Sequence, residues 1–342
     1  MAGWWRLNAA LLLLALSPWS LAAQQVPDRG FAPEISRPAF AVGAGPRLCL
    51  DEAHHNFHTL DNRFFAFGAL ARRDGFRVGP LREVFTADAL AACEILVISN
   101  AQPSDAAWDT YAYPTPSAFS MAEIVAVRRW VESGGRLLLI ADHMPLAGAA
   151  ALLAAAFGAT FTDGFAFEGE RGPDGAWRRS DSDAPTMFVT RDGARTDGSG
   201  VDDTVTAHSA AAGTIPDHPI ARGRDSTERV TQVRSFTGQA FRMKGDGVQP
   251  VLVLPEHYVS LEPRIAWRFE PSTPLRHVGG WLQGATRHVG SGRVALFGEA
   301  AMFSAQIAGE QRVPMGMNAP GAEQNPQFVL NVLRWLTGVI EP

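Results

Sequence analysis

Two stretches of this chain concentrate side chains able to hold or move protons: Asp51-Glu52-Ala53-His54-His55-Asn56-Phe57-His58, and Asp142-His143. Asp142 with His143 sets a carboxyl beside an imidazole whose ordinary pKa lies near neutrality, the pairing that general acid/base catalysis uses. They are the candidate catalytic residues. His54 and His58 are spaced i, i+4, which on a helix would present two imidazoles from one face as metal ligands. No Cys ligand set and no His-Glu-x-x-His run completes that pattern, so a divalent metal is an alternative and no other cofactor is expected. The competing reading gives these residues no chemistry, only helix caps and carboxylates that bond backbone amides. His208, His218, His257, His277 and His288 are scattered along the chain, where packing or surface roles are expected.

The elements in front of these stretches decide whether they can meet. Residues 47–50 form an apolar strand that runs into Asp51, residues 94–99 run into Asn100, residues 136–141 into Asp142, and residues 293–298 into Glu299. Ile95-Leu96-Val97-Ile98 is apolar on both faces, as a central parallel strand must be. Helical patterns alternate with these runs. Residues 59–73 carry an apolar stripe closed by Gly75, a short helix follows Thr86, and Ser120-Met121-Ala122-Glu123 is a capping box ahead of Ile124, Val127, Trp130 and Val131. A fourth helix is expected at 148–157 and a last one from Asn325 to Gly338, with further strands at 76–81, 251–254, 264–269 and 277–282.

Strands alternating with helices specify an α/β fold: a parallel sheet with helices on both faces. In such a sheet ligands bind beyond the carboxyl ends of the strands. Asp51, His54, His55, Asn56, Asn100 and Glu299 fall there as candidate ligand-binding residues, beside Asp142 and His143. Trp108, Tyr111 and Tyr113, in the polar segment after residues 94–99, are placed to line a sugar site. Residues 161–247 change character, with Gly, Asp, Ser, Thr and Arg dominating, and read as a long loop- and strand-rich insertion into a single domain spanning 46–342.

Composition removes several classes. The chain has 342 residues, 46% hydrophobic and 19% charged, which is too apolar for disorder. Thirty Lys and Arg against thirty-five Asp and Glu leave a net charge of -5, so nucleic acid is not an expected partner. Gly-x-Ser-x-Gly, a phosphate-binding Gly-rich loop and a Gly-x-Gly-x-x-Gly after the first strand are all absent from the sequence.

Residues 1–23 read as a secretory signal peptide: Arg6, an apolar run from Ala9 to Leu16, then Ser20-Leu21-Ala22-Ala23. The alternative is an uncleaved anchor. A periplasmic or secreted protein is expected, with an extended arm over 24–45 and no membrane span in the mature chain. Export permits disulfides, yet Cys49 late in one strand and Cys93 ahead of another are expected to lie several residues apart along parallel neighbours, and so to be free thiols.

The segments Asp51-x-x-His54-His55-Asn56, Ile95 to Asn100 and Gly134 to His143 together resemble the class I glutamine amidotransferase-like superfamily. The resemblance is closest to the branch of ThuA-like proteins and the domain shared by gliding-motility and intraflagellar-transport components. His218-Pro219-Ile220-x-x-Gly223, Gly292 to Glu299 and Asn325-x-x-Phe328-x-x-Asn331-x-x-x-Trp335-Leu336 extend it over most of the chain. It implies a flavodoxin-like sheet. It does not carry over glutamine hydrolysis, because neither Leu48-Cys49-Leu50 nor Ala92-Cys93-Glu94 is the family's Gly-x-Cys-x-Gly. Its sugar-metabolic ThuA-like relatives imply a carbohydrate or related polar ligand.

Three functions are therefore expected, in descending order. The first is an exported, non-thiol amidotransferase-like protein binding a polar small molecule or glycan at the strand ends. The second is a metal-assisted hydrolase built on the same Asp/His cluster. The third is a non-catalytic interaction module with an envelope protein partner, using 161–247 as its surface.

Overall fold

The computed structural model describes residues 25–179, 205–309 and 311–341. The expected signal peptide, and residues 180–204 of the expected insertion, lie outside these. In chain order the elements are β1 (Val26–Pro27), β2 (Arg47–Asp51), α1 (Phe65–Arg73), β3 (Arg77–Leu81), α2 (Ala87–Ala91), β4 (Ile95–Ser99), α3 (Met121–Glu132), β5 (Arg136–Ile140) and α4 (Leu146–Ala156). Next come β6 (Ala159–Phe161), β7 (Phe165–Arg171), β8 (Trp177–Arg179), β9 (Val205–Ser209), α5 (Pro219–Arg222), β10 (Gln232–Phe236), β11 (Phe241–Met243) and β12 (Gln249–Val253). The chain closes with β13 (Tyr258–Leu261), β14 (Leu275–His277), β15 (Leu282–Val289), β16 (Gly292–Phe297), β17 (Ala305–Ala308), β18 (Val313–Gly316) and α6 (Asn325–Thr337).

The main sheet runs β3-β2-β4-β5-β16-β15-β11-β6, with β12 also on β15. Its first five strands pair in parallel. Numbered by appearance they stand in the order 2-1-3-4-5, the flavodoxin-like arrangement. Alternation along these strands builds two cores. Leu48, Leu50, Ile95, Val97, Leu138 and Ile140 face one way, toward α1 and α6. Cys49, Leu96, Ile98, Leu137 and Leu139 face the other, toward α2, α3 and α4. Both faces are buried, so each such side chain contributes roughly 1.5–3 kcal/mol of burial.

Three sequence expectations change here. Residues 264–269 are not a strand: Ile265 makes an isolated bridge to Ala112, and Trp267 then takes φ +65, which breaks the extended path. The apolar run 277–282 is two strands, β14 and β15, because Gly279-Gly280 turns the chain between them, Gly280 at φ +74. Cys49 and Cys93 are joined as a disulfide, with Cα atoms 5.8 Å apart. The thiol expectation assumed that Cys93 continues the line of β4. Instead the chain arrives from α2 over the sheet face, with the Cys93 amide donating to Leu90 O and the Glu94 amide to Arg47 O, and that turn lays Cys93 over Cys49.

Residues 161–247 contribute to several layers. β6 and β11 extend the main sheet, and β9 pairs with β10. β7 and β8 form a four-stranded sheet with β13 and β14, backed by a small core of Met144, Phe165, Phe167, Leu261 and Ala266. That second sheet carries Phe165 to the carboxyl end of β5.

Candidate functional site

The carboxyl ends of β2, β4, β5 and β16 are neighbours, and the polar residues expected there separate into two clusters. In the first, the chain leaves β2 at Asp51 and folds back without forming a helix over residues 52–58. His54 is thereby turned inward. Its Nδ1 donates to Asp51 Oδ1 (2.8 Å) and its Nε2 to Glu123 Oε1 (2.8 Å). Both ring nitrogens face carboxylates, so both carry protons. Burial opposes the charge, but the hydrogen bonds and charges of Asp51 and Glu123 outweigh it and raise the His54 pKa above the usual value. Glu123 is held down at about 2: burial pushes it up, and the hydrogen bonds from His54, Ser120 and the Phe85 amide win. Glu123 is the capping-box residue of α3, with one carboxylate oxygen on the Ser120 amide (2.9 Å) and the other on His54. The rings of Phe85 and Phe119 enclose the imidazole at 4.5 and 4.7 Å. Asn56 completes the cluster by donating to Asp51 Oδ2 (3.0 Å).

The remaining histidines of this stretch diverge. His55, at φ +47, turns outward onto Asp105 Oδ1 (2.5 Å). His58 is buried, with Nδ1 on Ser99 Oγ (2.8 Å) and its ring stacked on Phe64. Burial, aided by the charge of Arg63, pushes the His58 pKa well below the ordinary range. The expected His54/His58 metal pair is thus not formed: the segment is not helical, and each ring is committed elsewhere. Among the described residues no group of three His, Cys, Asp or Glu side chains converges as a metal site.

The second cluster lies at the ends of β4, β5 and β16. Asn100, at φ +49, accepts from the Asp142 amide through Oδ1 (3.0 Å). Asp142 Oδ1 accepts the His143 amide (2.8 Å) and stands 3.9 Å from His143 Nε2. Glu299 is fully buried and accepts the Ala301 and Met302 amides at the start of a short 3-10 turn. Burial raises the pKa of Asp142. It raises that of Glu299 much further, reinforced by the nearby Asp142 charge, so the two carboxyls disfavour ionising together. Gly238, at φ +86, lets the chain pass close against Glu299, since a Cβ there would stand 2.5 Å from Gly298 O and 2.8 Å from Glu299 Cβ.

His143 is held differently from His54. Its Nδ1 donates to the Met144 carbonyl (2.9 Å), so a neutral ring here carries its lone pair on Nε2. The ring stacks on Phe165 (4.5 Å, 13°) and meets Trp267 edge-on (4.7 Å, 84°). Trp267 in turn packs edge-on to Trp108 (5.3 Å), whose ring lies 6.2 Å from Phe57. The Trp267 indole N–H is buried without an acceptor, and its backbone is in the left-handed region, a cost that clusters at binding sites. Behind this wall, Asp163 takes the Gly148 amide (2.8 Å) and Thr115 Oγ1 (3.0 Å), with burial raising its pKa to about 6.

Asp51, His54 and Asn56 therefore come together with Glu123, and Asn100, Asp142, His143 and Glu299 come together beside Trp108, while His55 and His58 join neither group. Tyr111 is buried and bonded to Ser104, and Tyr113 is exposed. Sequence patterns placed none of Glu123, Phe165, Trp267 or Arg63 at the site. A glutamate in a capping box is already assigned a partner, and nothing in the pattern of 264–269 marks Trp267.

No family model matches the chain, and no curated protein sequence matches it either. Among solved structures, the mmIFT52 N-terminal domain superposes with a TM-score of 0.52 at 12% identity, covering 85% of this chain and 97% of that one. A cytoplasmic protein from Salmonella typhimurium gives 0.43 at 13% identity, covering 85% and 98%, and a thua-like protein from Bacteroides uniformis gives 0.41 at 10%, covering 89% and 94%. At such identities the likeness is one of fold, and the site must be read from its own geometry.

Proposed function

We propose that this chain is an exported, non-thiol protein of amidotransferase-like fold that binds a polar small molecule or glycan beyond the strand ends, over the Asp142-His143 turn and the Trp108/Trp267 wall packed against it. The observation that carries the reading is Trp267: a strained, half-buried indole with an unmet N–H, set against a histidine whose Nε2 is left as an acceptor. Aromatic faces receive the apolar face of a sugar ring, and the adjacent carboxyl and imidazole bond its hydroxyls. The disulfide supports export, since such bonds persist in oxidising compartments, and it leaves neither cysteine as a nucleophile. Among the described residues no helix is long and apolar enough to cross a membrane.

A catalytic reading is favoured by one specific observation, the two buried carboxyls of Asp142 and Glu299, close enough for the charge of one to oppose ionisation of the other. Burial raises the Asp142 carboxyl, which stands 3.9 Å from His143 Nε2, and this sets a carboxyl and an imidazole in one place as candidate acid and base. Metal-assisted hydrolysis has less support, because the histidines it would use diverge.

A glycan array probed with wild type, His143→Ala and Trp267→Ala tests the binding reading. Retention of a defined set of glycans by wild type, lost in both variants while their urea midpoints stay close to wild type, is the expected result. An empty array for wild type, or undiminished signal in both variants, contradicts it.

A further inference from the structure

We propose that Arg63 is the anion-recognising residue of the strand-end face, and that the ligand carries a carboxylate, as a uronic acid does. The inference rests on the binding reading above and specifies its ligand class. Arg63 lies in the turns between the β2 loop and α1. Its guanidinium carbon stands 3.7 Å over the Phe57 ring, and Nη1 donates to the Phe57 carbonyl (3.2 Å). Its Nε–H is buried and has no acceptor.

No carboxylate among the described residues pairs with Arg63. Other arginines of the molecule are served differently: Arg82 reaches Glu52 (3.0 Å), and the deeply buried Arg334 is bound by Asp74 (2.6 Å) and Glu228 (3.1 Å). A desolvated guanidinium with an unmet N–H opposes folding. Its planar fork also matches a carboxylate at two points, with Nε as one of the two natural donors. Burial lowers the Arg63 pKa only to about 10, so it keeps its charge at neutral pH.

Position links Arg63 to the site. The Phe57 amide donates to the Asn100 carbonyl (2.9 Å), which fixes Phe57 at the end of β4. From Phe57 the rings continue through Trp108 and Trp267 to His143. A cation thus stands at one end of an aromatic wall and the Asp142/His143 pair at the other. A ligand lying over the Phe57 end of that wall can turn a carboxylate toward Arg63, and a longer glycan can carry hydroxyls on toward His143. Both an acidic glycan and a free organic acid offer the required group.

The test records arginine Nε–H and tryptophan indole N–H resonances of the full chain by ¹H–¹⁵N NMR, assigned with Arg63→Lys and Trp267→Phe, during titration with galacturonate, galactose, acetate and NaCl. The expected result is a saturable shift of the Arg63 Nε–H by galacturonate that NaCl at equal ionic strength does not produce, accompanied by a shift of the Trp267 indole. Arg63→Lys weakens galacturonate at least tenfold and leaves galactose within twofold. Acetate moving Arg63 as far as galacturonate supports the assignment and names a free acid as the source. A shift equal to that of NaCl, read on wild type alone, overturns the Arg63 assignment. A Trp267 response to galactose would then leave the binding reading standing, whereas no response at either resonance overturns both.

Discussion

His54 and His143 both follow central strands of one sheet, both are largely buried, and both sit beside an aspartate, yet their surroundings are opposite. Around His54 every polar atom has a partner: Asp51 on one nitrogen, Glu123 on the other, and Asn56 and Ser120 on the remaining carboxylate oxygens. Around His143 one nitrogen is fixed by a backbone carbonyl, and Trp267 beside it keeps an unmet N–H and a strained backbone. A closed network rigidifies its surroundings and has nothing left to offer a ligand. An incomplete one, maintained against its own cost, is where a ligand finds partners. The difference separates scaffold from site more sharply than residue type does.

Removing the imidazole from the closed cluster should cost the most. His54→Leu leaves Asp51 and Glu123 buried without their counter-charge, and urea unfolding should show a loss of about 3–5 kcal/mol. The disulfide lies on the scaffold side of the comparison. It closes a separation of 44 residues, and Cys49→Ser with Cys93→Ser should lose about 2–4 kcal/mol by the same measurement. In the incomplete cluster the effect should move from stability to binding. His143→Ala should weaken retention of the bound glycan at least tenfold, about 1.4 kcal/mol, and the same protein should unfold within about 1 kcal/mol of wild type. If His54→Leu proves mild and His143→Ala unfolds the chain, the two roles are reversed.

Acidity offers a finer test. The stabilisation from His54 is present below the ordinary histidine pKa and is lost as pH rises through its raised folded value. Asp142 and Glu299 act in the same direction: their folded pKa values lie above those of the open chain, so rising pH ionises them in the folded state only at a cost. These three groups therefore favour the folded state at lower pH, while His58 and His218, whose folded pKa values are depressed, act the other way below the ordinary histidine pKa, so the clusters are read from the difference between variant and wild type. Asp142→Asn keeps an oxygen for the His143 amide and removes one titrating group, so its stability should decline less steeply, by a difference of about 1 kcal/mol. An Asp142→Asn protein whose stability changes with pH in parallel with wild type would show that Asp142 does not titrate as described.

Much of this architecture was legible in the sequence. The doubly apolar runs Ile95–Ser99 and Arg136–Ile140, and the Ser120/Glu123 capping box, announce their elements through local physics and are found in place. Strand ends follow from strands, so Asn100, Asp142, His143 and Glu299 group together from the sequence alone. What escaped depends on long-range placement. The His54 partner comes from 69 residues away, and Phe165 reaches His143 through a second sheet that 161–247 helps to build. Cys93 was misplaced because extrapolating a strand backward ignores the turn that precedes it. Trp267 was read into a strand because alternation in 264–269 mimics one, although its φ of +65 forbids it.

The central claim, that the Asp142/His143 turn and its aromatic wall form the binding site while the His54 cluster is scaffold, is tested most directly by glycan-array binding of His143→Ala, with its urea midpoint recorded on the same preparation. The account predicts a midpoint close to wild type and a signal reduced at least tenfold. A folded His143→Ala protein that retains the full wild-type signal would contradict it.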